Sequence, residues 1–473
     1  MTDASARPAS PRLGLADAVS IIVGIVVGTA IFKAPPLVFA NVSSPVAGLG
    51  LWLAGGVLAL IGACCYAELA AAYPHSGGDY DYQRRAFGRL AGFMFGWAHL
   101  SVIITASIAQ MAYVFADYAG ELVPLSERAK LGVALGVVLL VTGANLRGLV
   151  AGKNLQNVLT VAKTLGLVAV IAAGFTIYFA MPEARPAAAA AERSLASPAI
   201  GLAMVFVLYA FGGWNDTAFV ASEVESPHRN MPLALLAGLS AITALYLLAN
   251  LAYLAGLGWV GLCASDAPAA ELVERASGAS GKVVVSLLVM VSALGAVNGM
   301  ALTGSRVYAR LGQEHRLFRW LGTWDEVRHT PARSLIAQAT VSCFMIGLVG
   351  TDVGRASVDQ VVGWLGVHSV PWSDGGFDVL VRATAPVFWF FFLLTGIAFF
   401  VLRHGDGATR RPFRTPLYPL TPILFCATCG YMLYSSATYA QGLVLIGLVP
   451  LAAGPLLYWL VDRRSDNDQH LSS

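Results

Sequence analysis

Residues 14–40, GLADAVSIIVGIVVGTAIFKAPPLVFA, decide the fold, because this stretch is apolar over most of its length yet interrupted by glycine. A helix needs about 20 mostly apolar residues to cross a bilayer, so the run is long enough for a membrane span. Gly24 and Gly28 lie near its middle, and the pair Pro35-Pro36 follows. We therefore expect a spanning helix that breaks near the centre of the membrane.

The whole chain is apolar in the same way. Of its 473 residues, 57% are hydrophobic and 12% are charged, whereas a soluble chain carries about 25% charged residues. Too little polar surface remains to cover a water-soluble protein. The composition therefore excludes a soluble enzyme, a disordered chain and a disulfide-rich secreted protein. The net charge of +3 gives no sign of nucleic-acid binding, and the lipid bilayer is the expected environment.

The apolar residues form twelve stretches that are long enough to span a bilayer as helices. These predicted spans are 14–40, 46–72, 90–118, 130–148, 156–180, 199–224, 232–257, 281–308, 335–350, 379–402, 417–436 and 440–461. The stretches are too long and too uniformly apolar for the strands of a barrel, so an all-α membrane bundle is predicted. The connections 182–198 and 350–378 are polar or of low complexity and are expected to be solvated.

The basic residues predict the orientation of the chain. With twelve spans both termini share one side, and 20 of the 30 Lys and Arg residues fall on that side, against 8 on the other. We therefore expect a multi-pass protein of the cytoplasmic membrane, with cytoplasmic tails at 1–13 and 462–473. The first apolar run is too long for a cleavable signal peptide and lacks a small-residue cleavage site.

The sequence offers little that would support other functions. The spacing of Cys426 and Cys429 looks like half of a metal site, but there is no second pair and no nearby histidine, so no metal or cofactor is expected. A membrane enzyme would need paired carboxylates, a nucleophile with its base or clustered histidines, and the spans carry only isolated charges. A channel would need a ring-forming set of like charges. A nutrient sensor on the same fold stays an alternative, which long cytoplasmic tails would favour, and the predicted tails here are short.

A second break is predicted in the sixth span, at Tyr209-Ala-Phe-Gly-Gly-Trp-Asn-Asp216. The second break lies five spans after the first one, so each unit contains five helices, and an odd number of helices per unit inverts the second unit in the membrane. The pattern is typical of transporters built from inverted repeats with discontinuous helices, here 14–180 and 199–402. The alternative is that these glycines only allow helices to pack closely.

The two breaks predict a receptor for a zwitterion. Lipid cannot satisfy the backbone groups that an unwound turn exposes, but a ligand can. The amides of Thr29, Ala30 and Ile31 begin a half-helix and would face an anion. The carbonyls near Val26 and at 210–212 end half-helices and would face a cation. An α-amino acid is the simplest ligand that carries both charges.

Several stretches resemble one family of membrane proteins. Residues 23–32, VGIVVGTAIF, resemble the Gly-Ser-Gly-Ile-Phe signature of the amino acid–polyamine–organocation (APC) superfamily. Residues 209–215, YAFGGWN, and 223–232, EVESPHRNMP, resemble the sixth helix of its L-type amino acid transporter branch. Further similar segments are 66–69, 74–80 and 302–308. The resemblance implies a LeuT-type 5+5 inverted repeat with helices 1 and 6 unwound and with 417–461 as peripheral helices.

The resemblance also implies roles for individual residues. It places the substrate carboxylate on the helix 1 amides and the ammonium on carbonyls near Val26 and Tyr209, with Asn215 as a polar contact. Ala30 replaces the last glycine of the family signature, which leaves the size of the substrate open. The expected substrate-binding residues are Val26, Gly28, Thr29, Ala30, Ile31, Tyr209, Ala210, Gly212, Gly213 and Asn215. The expected gating residues are Tyr209 and Trp214.

Lys163 is an ionisable residue inside the fifth span, and such a residue suggests a function. In the L-type branch a lysine on helix 5 stands where sodium-coupled relatives bind a cation. The resemblance therefore implies that Lys163 holds helix 1 carbonyls near Gly24 without sodium. The alternative from the sequence alone is that its side chain snorkels to the membrane surface. Proton coupling through this lysine stays open.

The remaining charges near the spans have simpler interpretations. Asp216 is expected to cap the second half of helix 6, although it could instead bind a cationic substrate group. Glu68 is expected to pair with Arg84 or Arg85. Lys33 is given no role. The group Glu223, Glu225 and Arg229 is either part of an inner gate or a solvated helix end.

These observations predict a secondary transporter of neutral L-amino acids that works by alternating access, independently of sodium, as an exchanger or a facilitator. No acidic cluster in the spans is available for a cationic side chain. The alternatives are a proton-coupled symporter and a carrier of cationic amino acids or polyamines. In heterodimeric relatives, a cysteine in the outer loop between helices 3 and 4 forms a disulfide with a heavy chain. The corresponding loop in this chain is 119–130. This loop has no cysteine, so no disulfide-linked partner is expected.

Overall fold

The computed structural model describes residues 13–470 except 76, 182, 184–198, 266, 279–280, 365–371, 373–375 and 408. Within these residues the secondary structure is helical, apart from two isolated β-bridges. The first half contains α1 Leu15–Val26, α2 Ala30–Ala40, α3 Pro45–Ala72, α4 Asp79–Phe87, α5 Arg89–Ala98, α6 Ile104–Leu122, α7 Glu127–Leu146 and α8 Leu149–Ala180. A π-helical turn, His99–Ile103, joins α5 to α6.

The described residues of the second half are also mainly helical. This half contains α9 Ile200–Ala210, α10 Pro227–Ala264, α11 Pro268–Ser277, α12 Gly281–Glu314, α13 Ala332–Gly350, α14 Asp352–Trp364, α15 Gly376–Gly405, α16 Leu420–Ala440 and α17 Val444–His470. A 3₁₀ segment, Trp214–Glu223, lies between α9 and α10.

Most of the predicted spans correspond to helices that are long and apolar enough to cross a membrane. Among the described residues, nine helices are long and apolar enough to cross a membrane, and α1 with α2 makes a tenth. Two predicted spans fall short of this length. The sixth is divided between α9 and the 3₁₀ segment, and the apolar part of α17 covers only Val444–Trp459.

The first predicted span is interrupted where its glycines predict. The chain leaves the helix after Val26 and enters α2 at Ala30, and the two helices are bent by 51°. α1 packs against α8, α10 and α12, so the break lies inside the bundle. Non-helical backbone at membrane depth is tolerated in such a place because protein rather than lipid surrounds it.

The sixth predicted span is interrupted as well, but its second half differs from a regular α-helix. α9 ends at Ala210, and Gly213 has a φ of +95°, in the left-handed region that favours glycine. The chain then continues as a 3₁₀ helix, which has 3.0 residues per turn instead of 3.6. Side chains after Gly213 therefore point in different directions from those of a continued α-helix.

One expected connection contains a helix, and one expected ion pair needs correction. The connection 350–378, expected to be solvated, contains α14, whose side chains are mostly exposed, while 182–198 lies almost entirely outside the described residues. Glu68 does not pair with Arg84 or Arg85. Its carboxylate instead accepts hydrogen bonds from Arg403 at 3.0 Å and Arg411 at 3.1 Å, which follow it by more than 300 residues. Only the tertiary fold brings such groups together.

Candidate functional site

The two breaks line one internal cavity of about 170 Å³. This volume is close to that of the ~150 Å³ engineered cavity that holds benzene, so there is room for one small organic molecule. Residues of the first break, of the second break and of α6, α12 and α15 form the wall. The cavity therefore lies where the sequence predicts the substrate.

The amides of helix 1 are available to a ligand. α2 begins at Ala30, and its N-cap residue, Thr29, makes no side-chain capping bond. No described group accepts a hydrogen bond from the amides of Thr29, Ala30 or Ile31. The positive end of the helix dipole points the same way, and this combination favours an anionic group such as a carboxylate.

The carbonyls at the two breaks share one side-chain donor, Tyr246 of α10. Its hydroxyl lies 2.8 Å from the carbonyl oxygen of Val26 and 3.1 Å from that of Ala210. A hydroxyl has one proton, so it donates to one of these carbonyls at a time. The other carbonyl can accept from a ligand ammonium. Tyr246 was not among the residues predicted from the sequence, although a tyrosine in the middle of a span is a detectable polar signal.

Lys163 is fully buried and holds the backbone of the first break. Its ammonium donates to the carbonyl oxygens of Gly24 at 2.5 Å, Val27 at 3.0 Å and Ser292 at 3.3 Å. The side chain therefore does not snorkel to the membrane surface. The Ser292 hydroxyl also donates to the carbonyl of Val27, at 3.2 Å. A fixed cation thus compensates carbonyls that the broken helix leaves unpaired.

The cavity brings together most, but not all, of the expected substrate-binding residues. Ile31, Trp214 and Asn215 do not line it. Ile31 is buried in the core, and Trp214 packs against Tyr66 and Phe392. Asn215 lines a second, smaller cavity. The expected residues that do line the main cavity are Val26, Gly28, Thr29, Ala30, Tyr209, Ala210, Gly212 and Gly213.

Other parts of the wall come from α6 and α15, which sequence reasoning did not connect with the site. Gln110 of α6 donates a 3.4 Å hydrogen bond to Thr384 of α15, and Trp389 closes the same side. The ring of Tyr209 meets that of Phe377 edge to face at 6.3 Å. No local sequence pattern distinguishes these α6 and α15 residues, because helices that only pack in a core contain the same residue types.

Asp216 also lines the main cavity. We expected it to act as a helix-start carboxylate for the second half of helix 6, and it lies in the first turn of the 3₁₀ segment. The capping role stays a prediction. Asp216 is a carboxylate on an otherwise largely apolar wall.

Comparison of the sequence with known proteins identifies the family of this chain. The family described as Amino acid permease has a sequence model that matches residues 13–461. The chain belongs to the amino acid permease family. The resemblance to the L-type branch of the APC superfamily is thereby confirmed, and this permease is a multi-pass membrane protein.

Individual relatives cover most of the permease. It is 30% identical over 420 residues to "b(0,+)-type amino acid transporter 1" of Mus musculus, a match that covers 87% of this chain and 80% of the relative. It is 28% identical over 462 residues to "Large neutral amino acids transporter small subunit 2" of Mus musculus, covering 95% and 80%. It is 27% identical over 459 residues to "Asc-type amino acid transporter 1" of Rattus norvegicus, covering 95% and 81%.

Proposed function

We propose that this permease transports neutral L-amino acids by alternating access, independently of sodium, as an exchanger or a facilitator. The observation that carries the proposal is the shared cavity, where the unpaired amides of one break and the carbonyls of both breaks lie together. A carboxylate and an ammonium joined by one carbon can meet both sets of groups. The relatives are named as amino acid transporters, which supports this substrate class.

The wall of the cavity supports a neutral, apolar substrate side chain. Most of it is formed by aliphatic and aromatic residues such as Ile104, Met300 and Phe388, and none of the described residues that line it is a lysine or an arginine. Ala30 adds a methyl group beside the amides that we assign to the carboxylate. Burial of an apolar side chain contributes about 25 cal/mol for each Å² removed from water, so leucine-like substrates fit best.

Sodium independence is proposed from the position of Lys163. Its ammonium already contacts two carbonyls of helix 1 and one of α12, the groups that a bound cation would otherwise need to neutralise. An ammonium group at this place removes the need for a soluble cation.

The finer topology is also part of the proposal. We infer twelve spans, with 14–180 and 199–402 as inverted repeats, 417–461 as peripheral helices and cytoplasmic tails at 1–13 and 462–473. The distribution of basic residues supports the orientation, and the two breaks support the repeat. We also propose that the permease needs no disulfide-linked heavy chain, because the loop 119–130 has no cysteine. One relative, by contrast, is named a small subunit.

One observation favours a second candidate function. Asp216 lines the cavity, and a carboxylate there could face the side-chain ammonium of a cationic amino acid or a polyamine. The relative named b(0,+)-type is 30% identical to this chain. A comparison of lysine transport with leucine transport distinguishes this cationic carrier from a carrier of neutral amino acids.

Purified permease in liposomes is expected to exchange external labelled leucine for internal unlabelled leucine in buffer without sodium. Liposomes without internal amino acid should show less uptake if exchange dominates. A panel of competitors, including lysine and putrescine, ranks neutral against cationic substrates. Strict dependence on sodium, or the absence of amino acid exchange in any buffer, would refute the proposal.

A further inference from the structure

A second cavity of about 20 Å³ lies beside the substrate cavity, and two carboxylates line it. One is Asp216, which lines both cavities, and the other is Asp79 of α4. The smaller cavity is large enough for a single water molecule. Five phenylalanine side chains make up most of the remaining wall. The two acids therefore share a small, apolar space next to the substrate.

The surroundings of the two carboxylates are unequal. Asp79 accepts hydrogen bonds from the hydroxyl groups of Tyr66 and Thr395, the latter at 2.6 Å, and a longer one of 3.5 Å from the Asn215 amide. Such donors stabilise an ionised carboxylate. Asp216 is 5% exposed, and no described residue forms a hydrogen bond or an ion pair with its carboxylate. A negative charge is therefore favoured on Asp79 over Asp216.

Asn215 provides an independent sign of a ligand at this place. Its side chain is 4% exposed and lines the small cavity. Its amide nitrogen donates to Asp79, whereas its carbonyl oxygen has no hydrogen-bond partner among the described residues. A buried acceptor without a donor is unfavourable, so this oxygen is suited to a proton-bearing group in the cavity.

The other titratable groups around Asp216 supply no opposing charge. His99 of the π-helical turn lines the small cavity, and its Nδ1 lies 3.2 Å from the hydroxyl of Tyr308 of α12. Arg229 of α10 is exposed, and the other charged side chains on the elements that pack against the 3₁₀ segment already have partners. These pairs are Asp17 with Lys153, Glu68 with Arg403 and Arg411, Glu223 with Arg306, and Glu314 with Arg310. Lys163 is held by backbone carbonyls.

We propose that Asp216, beside Asp79 and Asn215, is a proton-binding site and that its proton moves with the amino acid through the transport cycle. Two carboxylates in one apolar space cannot both be ionised without large repulsion, so the pair holds one proton. Asp79 keeps the charge, and Asp216 takes the proton from the substrate cavity and returns it there after the cavity opens to the other side. The proposal rests on the proposed amino acid transport, and it makes that transport a symport with one proton in place of exchange or facilitation.

The test measures proton and leucine movements in the same liposomes, with a pH-sensitive dye inside and labelled leucine outside. Wild-type permease is expected to move about one proton with each leucine. Such coupling accumulates leucine about tenfold for each unit of inward pH difference when the membrane potential is clamped at zero. Leucine exchange without any proton movement would overturn the proton site while leaving the proposed transport intact.

Asp216→Asn is expected to lose the proton movement and the gradient-driven accumulation. Asp117→Asn is the matched control, because Asp117 is a half-exposed carboxylate beside Lys130, away from both cavities, and it should keep the wild-type ratio. Retained coupling in Asp216→Asn would overturn the proposal. So would a selective loss of lysine transport with leucine coupling unchanged, since Asp216 would then bind the substrate side chain.

If Asp216→Asn transports no leucine, the loss of proton movement in that variant says nothing about coupling. Asp79→Asn then tests whether the two carboxylates share a proton. A neighbouring negative charge favours proton binding at Asp216, so its removal should make proton loading harder. We expect half-maximal uptake of leucine to require an external pH that is lower by about one unit. An unchanged pH profile in this variant would contradict the shared proton.

Discussion

Gly213→Leu is expected to abolish amino acid transport by this permease. Gly213 has a φ of +95°, and a Cβ atom there would come within 2.7 Å of the Ile25 side chain on the first broken helix. A left-handed conformation costs a branched residue about 1–2 kcal/mol, and overpacking costs about 1–3 kcal/mol more. A combined effect of about 3 kcal/mol or more corresponds to a loss of about 100-fold or more in leucine exchange.

Gly136→Leu is the matched control for this substitution. Gly136 lies in α7, where an added Cβ atom would meet no other atom within 4 Å. This variant should insert, fold and exchange leucine like the wild type. Leucine exchange and binding by Gly213→Leu at wild-type levels would show that the second break is not part of the substrate site.

Lys163→Ala is expected to have the next largest effect. The substitution removes the donor shared by the carbonyls of Gly24, Val27 and Ser292, and the space that the lysine fills becomes a cavity. Each buried carbonyl left without a donor costs about 1–3 kcal/mol. We expect leucine exchange to fall by about 100-fold and the first break to lose its geometry. Leucine exchange and thermal unfolding of the purified variant measure the two effects.

Lys282→Ala serves as the control for loss of a lysine. Its ammonium pairs with Glu121 at the surface, and the side chain is 60% exposed. An exposed ion pair contributes about 0–1 kcal/mol, so transport and stability should change little. Wild-type exchange in Lys163→Ala would mean that the buried lysine is not needed to hold the first break.

The sequence was sufficient to locate the breaks because the bilayer limits what the backbone can do. A polar backbone group in lipid needs a partner, so glycines in two opposed apolar runs predict sites where a ligand can supply one. The same constraint singled out Lys163, since a charge in a span is unfavourable unless it is used. Its contacts with Gly24 and Val27 agree with the position that the family resemblance implied.

The orientation of side chains after the second break was not predictable in the same way. The sequence suggested that Asn215 would contact the substrate and that Asp216 would cap a helix. The 3₁₀ segment advances about 120° per residue, whereas an α-helix advances about 100°. In the structure Asp216 lines the main cavity, and Trp214 and Asn215 do not. A choice between two helix types depends on tertiary packing, which local sequence does not encode.

Contacts between distant segments were also beyond the sequence. Tyr246 reaches both breaks, one of them 220 residues away, and nothing near Tyr246 in the sequence marks that contact. Glu68 was assigned to arginines close in the chain, yet it pairs with two that lie far from it. In both cases the chemistry of the side chain was readable, but its partner was decided by how the helices assemble.

A structure of this permease with bound leucine would locate the two charged ends of the substrate. We predict that the leucine carboxylate lies about 3 Å from the amides of Thr29, Ala30 and Ile31. The ammonium should lie at a similar distance from the carbonyl of Val26 or Ala210, beside the Tyr246 hydroxyl. Leucine bound away from both breaks, or a first span that runs as one continuous helix, would contradict the account.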